Sequence, residues 1–143
     1  MLEAKTIMKT DLITVKKETP IYDAIELISK NKITGLPVVN DDMTLVGVVS
    51  EKDVLHLLND LDSLMLVDEL KGSVATVNDF MTQNVVSFDV DDDLFDICDI
   101  LIENNFRRVP ITSKGRLVGI ITRADIVAYI LQLKCKDKQN AAV

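Results

Sequence analysis

Leu36-Pro37-Val38-Val39, followed after a polar break by Leu45-Val46-Gly47-Val48-Val49-Ser50-Glu51-Lys52-Asp53, returns later in the chain. The second occurrence reads Val109-Pro110-Ile111-Thr112 and Leu117-Val118-Gly119-Ile120-Ile121-Thr122-Arg123-Ala124-Asp125. Pro37 and Pro110 stand 73 residues apart, as do Met8 and Met81, whereas Gly47 and Gly119, and Asp53 and Asp125, stand 72 apart. One residue has therefore been lost from a turn between these markers. A fixed period of this kind means one supersecondary module used twice, each copy needing a neighbour to close its core.

Working outward, Ile13-Thr14-Val15 and Val85-Val86-Ser87-Phe88 are short β-rich runs that open each copy. A helix follows in each. Thr19-Pro20 supplies an N-cap and a proline at the first helical position, and Asp91-Asp92-Asp93 places carboxylates at the matching helix start. Ile21, Ala24, Ile25 and Ile28, and in the second copy Leu94, Ile97, Cys98 and Leu101, form an i, i+3, i+4, i+7 stripe. Tyr22, Leu27, Phe95 and Ile100 widen the apolar arc beyond one core face, which suggests a further contact such as a second subunit.

Pro37 and Pro110 mark strand starts or edges, because proline cannot donate to a sheet ladder. The strands Leu45–Val49 and Leu117–Ile121 are apolar throughout, as strands covered on both faces would be. Second helices start at Ser50 and Thr122 and carry Val54, Leu57 and Leu58, or Ile126, Tyr129, Ile130 and Leu133. The predicted fold is mixed α/β of the α+β type, two tandem β-α-β-β-α repeats. Residues 1–60 form repeat one, 61–73 a partly ordered connector, 74–134 repeat two and 135–143 a disordered tail.

At 143 residues the chain can form one compact body that buries roughly 70% of its unfolded surface. A half of about 60 residues is marginal alone, so the copies are expected to pack together. Sixteen Lys and Arg against 23 Asp and Glu give a net charge of −7, which argues against nucleic acid and anionic membranes as partners. No apolar run reaches the roughly 18 residues of a membrane span, and Met1-Leu2-Glu3-Ala4-Lys5 opens no signal-peptide core. A cytoplasmic location is expected. Cys98 replaces Ile25 of the other copy and reads as a small core residue, while Cys135 lies in the polar tail.

These motifs resemble a pair of CBS (cystathionine-β-synthase) domains, also called a Bateman module, over about Ala4–Asn59 and Val74–Leu133. The resemblance rests on Gly-Leu-Pro-Val-Val with Leu-Val-Gly-Val-Val-Ser-Glu-Lys-Asp, and on Arg-Arg-Val-Pro-Ile with Leu-Val-Gly-Ile-Ile-Thr-Arg-Ala-Asp. It implies a pseudo-twofold pair of repeats packed through their sheets. It also implies two clefts that commonly receive adenosine-containing ligands such as AMP, ADP, ATP or S-adenosylmethionine, regulatory rather than obligatory. Members usually sense ligands, and two pairs often associate, so a homodimer and an unidentified effector protein are the implied macromolecular partners.

Ser50-x-x-Asp53 and Thr122-x-x-Asp125 admit two readings. One is a capping box, in which the hydroxyl and the carboxylate satisfy helix N–H groups reciprocally. The other, implied by the resemblance, makes Ser50, Asp53, Thr122 and Asp125 ribose-binding, since a carboxylate offers two acceptor oxygens to the two donors of a vicinal diol. The resemblance further implies adenine contacts from Thr14, Thr34, Gly35, Leu36 and Pro37, and from Ser87, Val109 and Pro110. Arg107, Arg108 and Arg123 are candidate phosphate ligands, with the surface reading of a solvated basic cluster kept beside it. Their aligned residues in the first copy are Thr34, Gly35 and Glu51.

His56, the only histidine, aligns with Ala128, which gives no reason to assign catalysis. The cluster Asp89, Asp91, Asp92 and Asp93 lacks the EF-hand pattern, and helix-start carboxylates explain it. No phosphate-cradling glycine loop, nucleophile elbow, zinc spacing or base–nucleophile pair is found. The expected function is a stand-alone ligand-sensing module with no enzymatic activity, the alternative being a dimerisation scaffold with vestigial clefts.

Overall fold

Residues 2–60 and 75–141 are described by the computed structural model, so the expectation of a partly ordered connector lies outside the described residues. The elements are α1 (Ile21–Lys30), β1 (Gly35–Val39), β2 (Leu45–Ser50), α2 (Glu51–Asp60), β3 (Phe88–Asp89), α3 (Leu94–Glu103), β4 (Arg108–Ser113), β5 (Arg116–Thr122) and α4 (Arg123–Ala141). Single 3-10 turns at Ala4–Thr6 and Val77–Asp79 open the two copies. No described helix is long and apolar enough to cross a membrane.

Helix starts follow the sequence closely, with one shift. Pro20, with ψ of 137°, occupies the cap of α1 rather than its first turn, and its carbonyl accepts from Asp23 and Ala24. The Thr19 hydroxyl instead accepts from the Lys16 N–H. Asp93 caps α3 by accepting from the Phe95 N–H at 3.1 Å. Ile21, Ala24 and Ile28, and Leu94, Ile97 and Leu101, are buried as the stripe requires. Cys98 is only partly buried, and its burial, with Asp99 and Asp93 nearby, pushes the thiol pKa up.

Both prolines sit inside their strands rather than at the ends. β1 pairs antiparallel with β2 in a register that sets Gly35 opposite Ser50, and on its other side it meets only Val15, bridged in parallel to Val38. That neighbour makes two hydrogen bonds, Val15 N–H to Pro37 O and Val39 N–H to Val15 O, and neither asks a donor of Pro37. In the second sheet, ordered β3-β4-β5, the parallel pairing starts at Phe88 opposite Ile111, one residue beyond Pro110. A ladder that begins after the proline tolerates it. The opening strands are correspondingly short: a single bridge at Val15 and two residues in β3.

The missing residue falls in the hairpin turns. Lys114 and Gly115, at φ of 54° and 79°, form a two-residue connection with the positive φ values that tight hairpins favour, where the first copy uses Asp41-Asp42-Met43. β2 and β5 alternate buried with half-buried residues, so they are fully covered on one face, not both. α4 runs on to Ala141 where a disordered tail was expected; no glycine or proline interrupts it, and Lys, Gln and Ala favour the helix. Ile130 and Leu133, carried by the second helix as expected, are exposed on α4 beside Val127 and Leu131.

Two compact units emerge, and neither is a contiguous repeat. The first comprises Ile13–Val85 with Gly115–Leu117, and the second Met1–Leu12, Val86–Lys114 and Val118–Val143. Each repeat thus lends its opening arm to the other's unit. In the second unit, fully buried Ala4 packs with Leu94, Ile97, Leu101, Val109, Ile111 and Ile121, and its N–H donates to Asp92 O at 2.9 Å. In the first, fully buried Val77 packs with Val15, Ile21, Leu36, Val38 and Val49, and its N–H donates to Thr19 O at 2.8 Å.

Candidate functional site

In the first unit the site is built where β2 turns into α2. Ser50 N–H and hydroxyl both donate to Asp53 Oδ2, at 2.9 and 3.0 Å, and Asp53 N–H donates back to Ser50 Oγ at 3.3 Å. The second unit repeats this at the start of α4: Thr122 N–H to Asp125 Oδ2 at 2.9 Å and Asp125 N–H to Thr122 Oγ1 at 3.1 Å. Both motifs are complete capping boxes. A third box, Thr76 with Asp79, starts the 3-10 turn of the second arm. Capping is thus satisfied at all three, and it uses Oδ2 of each helix-start aspartate, which directs Oδ1 elsewhere.

What meets Oδ1 comes from the exchanged arm. Thr82 pairs with Val48 through two hydrogen bonds of 2.8 and 2.9 Å, and its hydroxyl donates to Asp53 Oδ1 at 3.2 Å. Lys9 pairs with Ile120 in the same manner, at 2.9 and 3.0 Å, and its Nζ lies 3.1 Å from Asp125 Oδ1. The glycines next to these bridges make the approach possible. A Cβ on Gly47 would stand 2.8 Å from Thr82 O, and one on Gly119 would stand 2.5 Å from Met8 Sδ. Lys9 and Thr82, aligned 73 residues apart, were not among the expected site residues. Their signal was present: each follows a methionine that marks the repeat.

The predicted adenine edge adjoins each carboxylate. Gly35 pairs opposite Ser50 in the sheet, and Thr34 O accepts from the Glu51 N–H at 2.9 Å, just as Arg107 O accepts from the Arg123 N–H at 3.1 Å. The side chains of Leu36 and Val109 are fully buried, and Pro37 and Pro110 are buried too, so these positions can offer a ligand little but backbone. Thr14, half-buried, and Ser87, exposed, flank the short parallel neighbours of β1 and β4.

The three arginines separate. Arg107 is exposed and Arg108 half-buried at the start of β4. Arg123, expected to meet phosphate, turns its guanidinium to the last turn of α3 and the residues that follow it. Nε donates to Phe106 O at 2.6 Å, and Nη2 to Leu101 O at 3.1 Å and Asn105 Oδ1 at 3.0 Å. A helix C-terminus leaves carbonyls unpaired and carries partial negative charge, so a guanidinium is well placed there.

The family model for the CBS domain matches residues 4–60 and 77–132. The chain belongs to the CBS domain family. Each CBS match includes one helix-start aspartate and the arm residue, Lys9 or Thr82, that meets the other copy's carboxylate. The chloroplastic CBS domain-containing protein CBSX2 of Arabidopsis thaliana is 36% identical over 93% of the chain, which spans 64% of that protein's length. The crystal structure of CBSX2 in complex with AMP is 38% identical, covers 94% of this chain and 99% of its own, and superimposes with a TM-score of 0.80. The CBS domain pair of MJ0100, crystallised with 5′-methylthioadenosine and S-adenosyl-L-methionine, is 25% identical, covers 90% of this chain and 99% of its own, and has a TM-score of 0.74.

Proposed function

We propose that this CBS pair is a regulatory module that binds adenosine-containing ligands, AMP, ADP, ATP or S-adenosylmethionine, with one site on each unit. The observation that carries the reading is the doubled helix-start aspartate with Oδ1 turned away from the cap, in a chain similar over most of its length to CBSX2, which was crystallised with AMP. Asp53 and Asp125 take the ribose diol at Oδ1, beside Ser50 and Thr122. The backbone from Thr34 to Pro37, and from Arg107 to Pro110, reads adenine with Thr14 or Ser87 alongside. Arg107 and Arg108 face phosphate, and the N-termini of α2 and α4 favour the negative charge. The module acts by binding, not by catalysis: a ligand that prefers one conformation shifts the population toward it, and an effector protein reads the shift.

Titration calorimetry with the four ligands against wild type, Asp53→Asn, Asp125→Asn and Asp79→Asn tests this. Each of the first two variants should lose at least about tenfold in affinity at its own site, since a charge-assisted hydrogen bond is lost. Asp79→Asn, a capping box outside either site, should bind as wild type. No heat with any ligand would sink the proposal.

The second reading is a dimerisation scaffold, favoured by two observations. The Thr76–Asp79 box shows the same motif serving the backbone alone, and Phe95 on α3 is 70% exposed, with Ile102 and the α4 residues Val127, Ile130 and Leu131 also exposed, as apolar residues covered by a second copy would be. Native mass spectrometry with and without nucleotide separates the two: a dimer that carries no nucleotide favours the scaffold.

A further inference from the structure

The two sites differ in one residue that touches the helix-start carboxylate. Both arms arrive by a one-residue bridge beside a strand glycine, yet one delivers a lysine and the other a threonine. The Asp125 side chain is 8% exposed, and the ammonium beside it is the cation that offsets its charge. Lys9 itself is 66% exposed, so its flexible stem can swing the charge aside without leaving a buried hole.

We propose that Lys9 makes the second unit's site select adenosyl ligands carrying negative charge beyond the ribose, while Thr82 leaves the first unit's site without that selection. This rests on the reading that the aspartates hold ribose. A diol that donates to Asp125 Oδ1 replaces the donor Lys9 now supplies. An uncharged ligand therefore displaces the ammonium with nothing in exchange, whereas a phosphate accepts it. Exposed Arg107 adds positive charge on the same unit, whereas the Arg123 guanidinium is engaged by Leu101, Asn105 and Phe106. In the first unit the corresponding exchange is neutral, a hydroxyl of Thr82 for a hydroxyl of ribose, and exposed Glu51 opposes a phosphate.

The test is calorimetry of AMP and adenosine at fixed ionic strength on full-length protein, with Asp53→Asn present throughout to silence the first unit. Lys9→Thr should lower the AMP-to-adenosine affinity ratio about tenfold, the scale of a charge-assisted contact discounted for exposure, while Lys9→Arg should keep it. In the converse background, with Asp125→Asn, Thr82→Lys should raise the ratio at the first unit, which holds the proposal to account even where Lys9→Thr folds poorly. An unchanged ratio in Lys9→Thr, with binding of both ligands still lost in Asp125→Asn, would overturn the role of Lys9 and leave the ribose reading standing. Unaltered binding in Asp125→Asn would overturn both.

Discussion

The glycines of β2 and β5 admit the exchanged arms, and replacing them should cost unequal amounts. At Gly47 the atom closest to an added Cβ is backbone, Thr82 O at 2.8 Å, with Met81 Sδ next at 3.0 Å. A carbonyl held in a two-hydrogen-bond bridge cannot rotate away, so the arm itself must lift. Gly47→Ala therefore weakens two hydrogen bonds worth about 1 kcal/mol each and adds some overpacking, together about 2–3 kcal/mol. For a chain near 150 residues that is a fall in Tm of roughly 4–12 °C. At Gly119 the crowding comes from the Met8 side chain, Sδ at 2.5 Å, Cγ at 2.8 Å and Cβ at 3.0 Å. A methionine can swing its outer atoms aside, so Gly119→Ala should cost less, about 1–2 kcal/mol. Urea denaturation of Met8→Ala, Gly119→Ala and the double variant should show the glycine substitution costing about 1 kcal/mol less once the thioether is gone. A Gly47→Ala protein melting within a degree of wild type, or a Gly119→Ala cost indifferent to Met8, would refute the idea that the glycines exist to seat the arms.

Three further outcomes follow from the same geometry. Arg123→Ala should lower stability by about 1 kcal/mol, its hydrogen bonds being partly exposed, and leave AMP affinity unchanged; a lost affinity with intact stability would return Arg123 to the phosphate. Deleting residues 1–9 should remove hydrogen-exchange protection from β4 and β5 before β1 and β2, because Ala4 and the Lys9 bridge belong to the second unit; uniform loss would contradict the exchange. Asp42, through its hydrogen bonds with Thr44, and Asp91, through its hydrogen bond and charge attraction with Lys5, titrate below the ordinary 3.8. The folded form therefore binds fewer protons than the unfolded, and their stabilisation is present above about pH 4 and lost as pH falls through the folded values. Asp42→Asn and Asp91→Asn should flatten that acid limb in a urea series; an unchanged slope would count against both contacts.

Self-similarity at a 72–73-residue offset was enough to read the duplication, and local chemistry the β-α-β-β-α order, the buried stripes of α1 and α3 and the capping boxes, because these are interactions between residues three or four apart or alternations along one segment. The same locality explains what could not be read. From sequence, Pro37 marks a strand start or an edge; it lies mid-strand, and the edge reading is the nearer one, because beyond the single bridge at Val15 no strand flanks β1 on that side among the described residues. Nothing within a few residues of Arg123 announces the carbonyls of Leu101 and Phe106 that its guanidinium meets.

By itself the sequence determined what each copy is made of; the tertiary structure alone decided which copy each arm completes. Lys9 reaches Asp125 and Thr82 reaches Asp53 through backbone bridges that pair a residue of one repeat's opening arm with the last strand of the other. Sheet hydrogen bonds are indifferent to side-chain identity, so no residue pattern announces that pairing. Yet it is the pairing that sets a cation beside one carboxylate and a hydroxyl beside the other.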